Sequence, residues 1–184
     1  MHDRREGFTL LEVAIAIAVL ALLGIPLVSI VLTSTRTTSE NDTFSKVEER
    51  NRTALFRIEK ELRKGMTGTA TIANAGKDLV FTSSTFNGTS AVAGANIRFF
   101  FSVAPGETLN GADDDGDGLI DEGTLIRRDE STGVQTTICG NINVAGSSFA
   151  LNGTGVTITV ASFGTIPGGN SFSLSKTMTV YARN

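Results

Sequence analysis

The chain has 184 residues and a net charge of −3, with one cysteine and one histidine. That length fits one globular domain plus an additional segment, and the total charge makes no case for a nucleic-acid partner. A lone cysteine, Cys139, excludes an internal disulfide framework, and a lone histidine, His2, leaves the rest of the chain without a Ser–His–Asp triad, a Cys–His pair or an ordinary zinc site.

The negative charge is local. Six carboxylates fall between positions 113 and 122, and without them the remainder is +3. Composition shifts near residue 65, from helix formers before it to Gly, Thr, Ser and Asn after it.

The chain opens Met1-His2-Asp3-Arg4-Arg5-Glu6-Gly7, followed by Phe8-Thr9-Leu10-Leu11-Glu12 and then 20 uncharged residues, 13–32. At 1.5 Å rise per residue this run spans about 30 Å, the thickness of a hydrocarbon core. A buried core helix would show a polar face, and this run has none. A secretory signal would have a shorter apolar region followed by its cleavage site, whereas here Gly-Phe precedes the run. The residues therefore predict a membrane helix. Glu12 lies near its start, where a carboxylate is costly unless it is solvated at the headgroups or has a partner.

Gly7-Phe8-Thr9-Leu10-Leu11-Glu12 ahead of an apolar helix resembles the prepilin cleavage and methylation signature of type IV pilins and type II secretion pseudopilins. The resemblance implies cleavage between Gly7 and Phe8 by a prepilin peptidase and N-methylation of Phe8. It implies that Glu12 pairs with the terminal amine of a neighbouring pilin or pseudopilin subunit during assembly, where two costly charges offset one another. It further implies a single-pass protein of the inner (cytoplasmic) membrane with its head outside the cytoplasm. There it contacts lipid and an inner-membrane assembly platform before entering a periplasmic or extracellular filament. Many major pilins carry a proline where Ser29 stands; here Gly24 and Pro26 predict a local kink or unwinding.

From 39 to 65 the chain is charged, with apolar residues at Phe44, Val47, Ala54, Leu55, Ile58 and Leu62. The spacings of three, four and seven predict an amphipathic helix; Glu59 and Arg63 form an i,i+4 pair and Gly65 is the stop. A helix from 8 to 64 would be roughly 85 Å long.

Beyond Gly65 the pattern alternates. Strands are predicted at 69–73, 78–84, 96–103, 124–129, 135–142, 148–151, 155–162 and 172–182, separated by Gly and Asn clusters. The expected class is α+β, with an antiparallel sheet packed against the amphipathic helix. Core candidates are Phe99, Phe101, Leu125, Ile138, Ile158, Val160, Phe172, Leu174, Met178 and Val180. Arg57-Ile58-Glu59-Lys60-Glu61-Leu62-Arg63, Thr124-Leu125-Ile126-Arg127-Arg128 and the ending Tyr181-Ala182-Arg183-Asn184 resemble the minor-pilin and minor-pseudopilin subgroup, PilW-like or type II secretion J-like. The organisation that follows is a leader at 1–7, a transmembrane and filament-core helix at 8–36, an amphipathic helix at 37–65 and a β-rich head at 66–184.

Within the head, Asp113-Asp114-Asp115-Gly116-Asp117-Gly118-Leu119-Ile120-Asp121-Glu122 reads as a calcium loop. Asp113, Asp115 and Asp117 take positions one, three and five, and Gly118 the sharp turn. Leu119 offers its carbonyl at seven, and Asp121 sits at nine. Position twelve is Thr124, where an EF-hand has a bidentate glutamate, and Glu122 is the candidate to compensate by reaching back. The flanks read as strands, so the loop resembles the DxDxDG loops found outside EF-hand pairs. An acidic turn that binds nothing is the alternative, but six crowded carboxylates repel one another without a counter-ion. The expected cofactor is Ca²⁺ in a structural role, with affinity on the order of 10⁻⁴–10⁻³ M.

Four Asn-X-Thr triplets, at Asn41, Asn51, Asn87 and Asn152, are read as chance in an Asn- and Thr-rich chain. Cys139 reads as a small buried hydrophobe. The expected function is a structural, minor subunit of a type IV pilus-like filament. The alternatives are a type II secretion minor pseudopilin and a membrane-anchored binding module, either a calcium-dependent adhesin or a DNA-uptake module. No catalytic constellation is found.

Overall fold

The computed structural model describes residues 9–66, 68–166 and 168–181. The chain divides into two units, Met1–Asn41 and Asp42–Asn184. Helix α1, Leu10–Leu62, supplies the regular structure of the first and opens the second.

In the first unit the apolar residues of α1 are exposed, Leu20 and Ile25 among them, and the segment is long and apolar enough to cross a membrane. The helical run passes through Gly24 and Pro26 unbroken, so the unwinding expected there is not found; proline removes one donor, and the bonds on either side carry the helix past it. Past the apolar run, Thr33, Thr35 and Thr38 turn their hydroxyls back onto the carbonyls of Ser29, Val31 and Ser34 at 2.8–2.9 Å. Each hydroxyl donor is thereby satisfied within the helix.

In the second unit α1 buries the stripe Val47, Asn51, Ala54, Leu55, Ile58 and Leu62; Phe44, also expected on this face, is exposed, and the polar Asn51 joins it. On the solvent side Glu59 pairs with Arg63 at 2.7 Å. The helix tightens at its end, with the Gly65 amide donating to the Leu62 carbonyl at 2.8 Å, and Gly65 then bridges Ser83. A Cβ on Gly65 would lie 2.9 Å from the Phe81 ring and 3.0 Å from the Leu62 carbonyl, so only glycine lets the chain turn this close to the sheet.

Among the described residues the sheet has eight strands: β1 Thr71–Ala73, β2 Asp78–Phe86, β3 Ala91–Val103, β4 Glu122–Asp129, β5 Gln135–Asn143, β6 Ser148–Asn152, β7 Gly155–Thr165 and β8 Ser171–Tyr181. All pairs are antiparallel, in the order β1-β2-β3-β4-β5-β7-β6, and β8 pairs along the whole of β7. One strand, β7, thus meets β6 near its start, β5 at Ser162 and β8 throughout. All eight expected strands are present. The largest difference is β3, which begins at Ala91 because it follows β2 out to Phe86 across a register shift between Thr82 and Ser84. Residue 182, expected to end β8, lies outside the described residues, as do 183 and 184.

The core lies between α1 and the sheet and includes Ile58, Leu79, Phe81, Phe99, Phe101, Leu125, Ile142, Ile158, Val160 and Val180. Ile138 and Met178 are half-buried against it. Phe172 and Leu174 are half-buried rather than core, because alternate residues of β8 stand at the margin of the packed face; Phe172 packs instead against Phe44 in a tilted ring pair, centroids 4.1 Å apart. Arg127 reaches Glu61 at 3.4 Å and Arg128 reaches Glu130 at 3.5 Å, so the adjacent pair splits as strand alternation requires.

Candidate functional site

At the N-terminus, Gly7 and Phe8 lie outside the described residues. Thr9 stands just before α1 and Glu12 in its first turn. The Thr9 amide and hydroxyl both donate to Glu12 Oε2 at 3.0 Å, and the Glu12 amide donates back to Thr9 Oγ1 at 3.3 Å. This reciprocal arrangement is a capping box, which satisfies orphan donors of the first turn. It also gives the Glu12 carboxylate two donors within its own chain.

The acidic residues lie in the long connection between β3 and β4, closed at its base by the Ala104 amide donating to the Glu122 carbonyl at 2.9 Å. The loop is wound by its own carboxylates. Asp113 accepts from the Gly116 and Gly118 amides at 2.6 and 2.9 Å, Asp115 from Asp117 at 3.1 Å, and Asp117 from Leu119 at 2.8 Å. Gly118 has φ +89°, supplying the sharp turn expected at position six.

This winding brings together one carboxylate oxygen each of Asp113, Asp115 and Asp117 within 4.8 Å of one another, all three residues exposed. A second grouping of the same size joins Asp115 to Glu107 and Glu122, both buried. Asp115 belongs to both. Asp114 points elsewhere, to Thr108 and Asn110, whose hydrogen bonds hold its carboxyl below the usual range.

Asp121 is in neither grouping. It is buried, with φ +53°, and its carboxylate accepts from the Asn110 and Gly111 amides at 2.9 and 3.1 Å. Leu119 is half-buried at the loop's end, its amide bonded to Asp117.

Glu107 is the residue that sequence reasoning missed. One of its oxygens accepts from the Asp114 and Asp115 amides at 2.8 and 3.0 Å, and the other accepts from the Asp121 amide at 3.2 Å. It lies outside the DxDxDG spacing, so nothing in that motif reaches back to it.

Glu122 opens β4 and is 7% exposed, and its Oε2 has no hydrogen-bond partner among the described residues. Burial pushes its carboxyl up, and the neighbouring Glu107, Asp117 and Asp115 push it the same way. A buried carboxylate with an unpartnered oxygen, grouped with two further acids, fits a hard cation, which takes several oxygen ligands and favours the ionised form of each. The two groupings can hold a metal ion.

No curated protein and no solved structure matches the chain. A family model does, the prokaryotic N-terminal methylation motif, over residues 2–28. These residues are the type IV prepilin signature at the head of a long apolar helix, and they support a type IV pilin- or pseudopilin-like prepilin subunit.

Proposed function

We propose that the chain is a structural, minor subunit of a type IV pilus-like filament. Prepilin peptidase cleaves between Gly7 and Phe8, and Phe8 is N-methylated. The segment 8–36 anchors the subunit in the inner membrane and later forms part of the filament core. On extraction from lipid, Glu12 exchanges its bonds to Thr9 for the amine of a neighbouring subunit, and each charge then has an opposite partner. The head, outside the cytoplasm, is the part that meets other molecules.

The observation that carries this reading is the methylation motif at residues 2–28 leading directly into an exposed apolar helix. Ca²⁺ is proposed as a structural ion on the acidic loop. Asp113, Asp115 and Asp117 supply alternate carboxylates, with Leu119, Asp121 and Glu122 closing the loop. The alternation of hard oxygen donors on a tightly wound segment supports calcium over softer metals.

Co-expression with a prepilin peptidase tests the assembly reading. The wild-type chain is expected to shorten and the Gly7→Ala chain to remain full length and out of filaments. Normal processing of Gly7→Ala would overturn the leader assignment.

A further inference from the structure

We infer that Glu107 and Glu122 are cation ligands together with Asp115, at a buried grouping that shares Asp115 with the exposed Asp113 and Asp117 and fastens the acidic loop to the base of β4. The inference rests on the calcium reading above and adds to it a ligand from outside the loop motif.

A calcium ion takes six to eight oxygens. The loop offers three aspartates at alternate positions, while position twelve is Thr124 and the Asp121 carboxylate is engaged by two backbone amides. Further oxygens must come from elsewhere. Glu122 is buried, its Oε2 lacks a hydrogen-bond partner among the described residues, and one of its carboxylate oxygens lies within 4.8 Å of ligand oxygens of both Glu107 and Asp115. Leaving a buried carboxylate oxygen unpaired is costly, so its place in a group of three carboxylates calls for a positive partner.

Glu107 spends three lone pairs on amides. A carboxylate has about four, so one direction on the oxygen facing Asp121 is left for an ion. Asp115 belongs to both groupings, so an ion held by Glu107, Asp115 and Glu122 shares a ligand residue with the exposed aspartates.

The consequence is mechanical. Glu107 belongs to the outgoing arm of the connection, Asp113 to Asp117 to its apex and Glu122 to the first residue of β4. An ion held by Glu107, Asp115 and Glu122 takes one ligand from each part and ties the three together.

The test is calorimetric titration of calcium chloride into the chelator-stripped full-length protein in detergent, for wild type, Glu107→Gln, Glu122→Gln, Asp113→Asn and Asp114→Asn. Glutamine keeps one of the two oxygen acceptors and removes the charge. The expected result is that Glu107→Gln and Glu122→Gln each weaken calcium by at least about tenfold, while Asp114→Asn stays within about twofold. Wild-type affinity in both glutamine variants, with Asp113→Asn impaired, would overturn the inference and leave the calcium reading standing. No binding by wild type at millimolar calcium would overturn both. Circular dichroism of the calcium-free variants checks folding, and if Glu107→Gln does not fold, Glu122→Gln alone decides.

Discussion

Thr9 and Glu12 clasp one another across the first turn of α1, each side chain bonded to the other's backbone amide. The cap and the charge of Glu12 can be separated by substitution. Glutamine retains an oxygen for the Thr9 amide, and alanine retains neither function. Both Glu12→Gln and Glu12→Ala should be cleaved normally yet remain in the membrane fraction, because the neighbour's amine lacks its counter-charge. Wild-type amounts of sheared filament from Glu12→Gln would show that the carboxylate acts only as a cap.

Asn51 joins α1 to the sheet. Its side-chain amide donates to the Leu174 carbonyl at 2.7 Å, and its oxygen accepts from the Ser162 hydroxyl, all within a buried contact. Asn51→Leu keeps the number of side-chain heavy atoms and removes both the donor and the acceptor. It should destabilise the protein by about 1–3 kcal/mol, read as a lower urea midpoint. An unchanged midpoint would mean that these bonds add no net stability.

Much of the fold was legible because its signals are local. Alternation marked all eight strands, and the spacing of Val47, Ala54, Leu55, Ile58 and Leu62 marked the helix face. What was missed depends on tertiary position. Asn51 is polar, so an apolar pattern passes over it, although it fills the same stripe. The start of β3 at 91–95 is built of small residues without alternation and is extended by pairing with β2. In the acidic loop the spacing identified Asp113, Asp115 and Asp117. It could not identify Glu107, which joins them only when the connection folds back on itself. Nor could it show that Asp121 turns to the amides of Asn110 and Gly111.

Cys139 is buried on β5, and burial pushes its thiol up, away from the reactive thiolate. The native protein should resist maleimide labelling at pH 8 and label fully once unfolded in denaturant. Rapid labelling of the native protein, followed by mass spectrometry, would contradict the burial.

Removing calcium should loosen the connection between β3 and β4. At free calcium about ten times Kd, binding adds about 1.4 kcal/mol, which for a head of this size is a melting shift of roughly 3–6 °C. Differential scanning calorimetry with and without chelator reads this directly. Identical melting in the two conditions would mean that the acidic residues are an empty turn.

The intact mass of the protein recovered from cells with an active prepilin peptidase is the most direct check that this chain is a processed filament subunit. The expected mass is that of the precursor less residues 1–7 and plus one methyl group on Phe8. A mass that retains residues 1–7 would contradict the assignment of the N-terminal segment and, with it, the role of Glu12 in assembly.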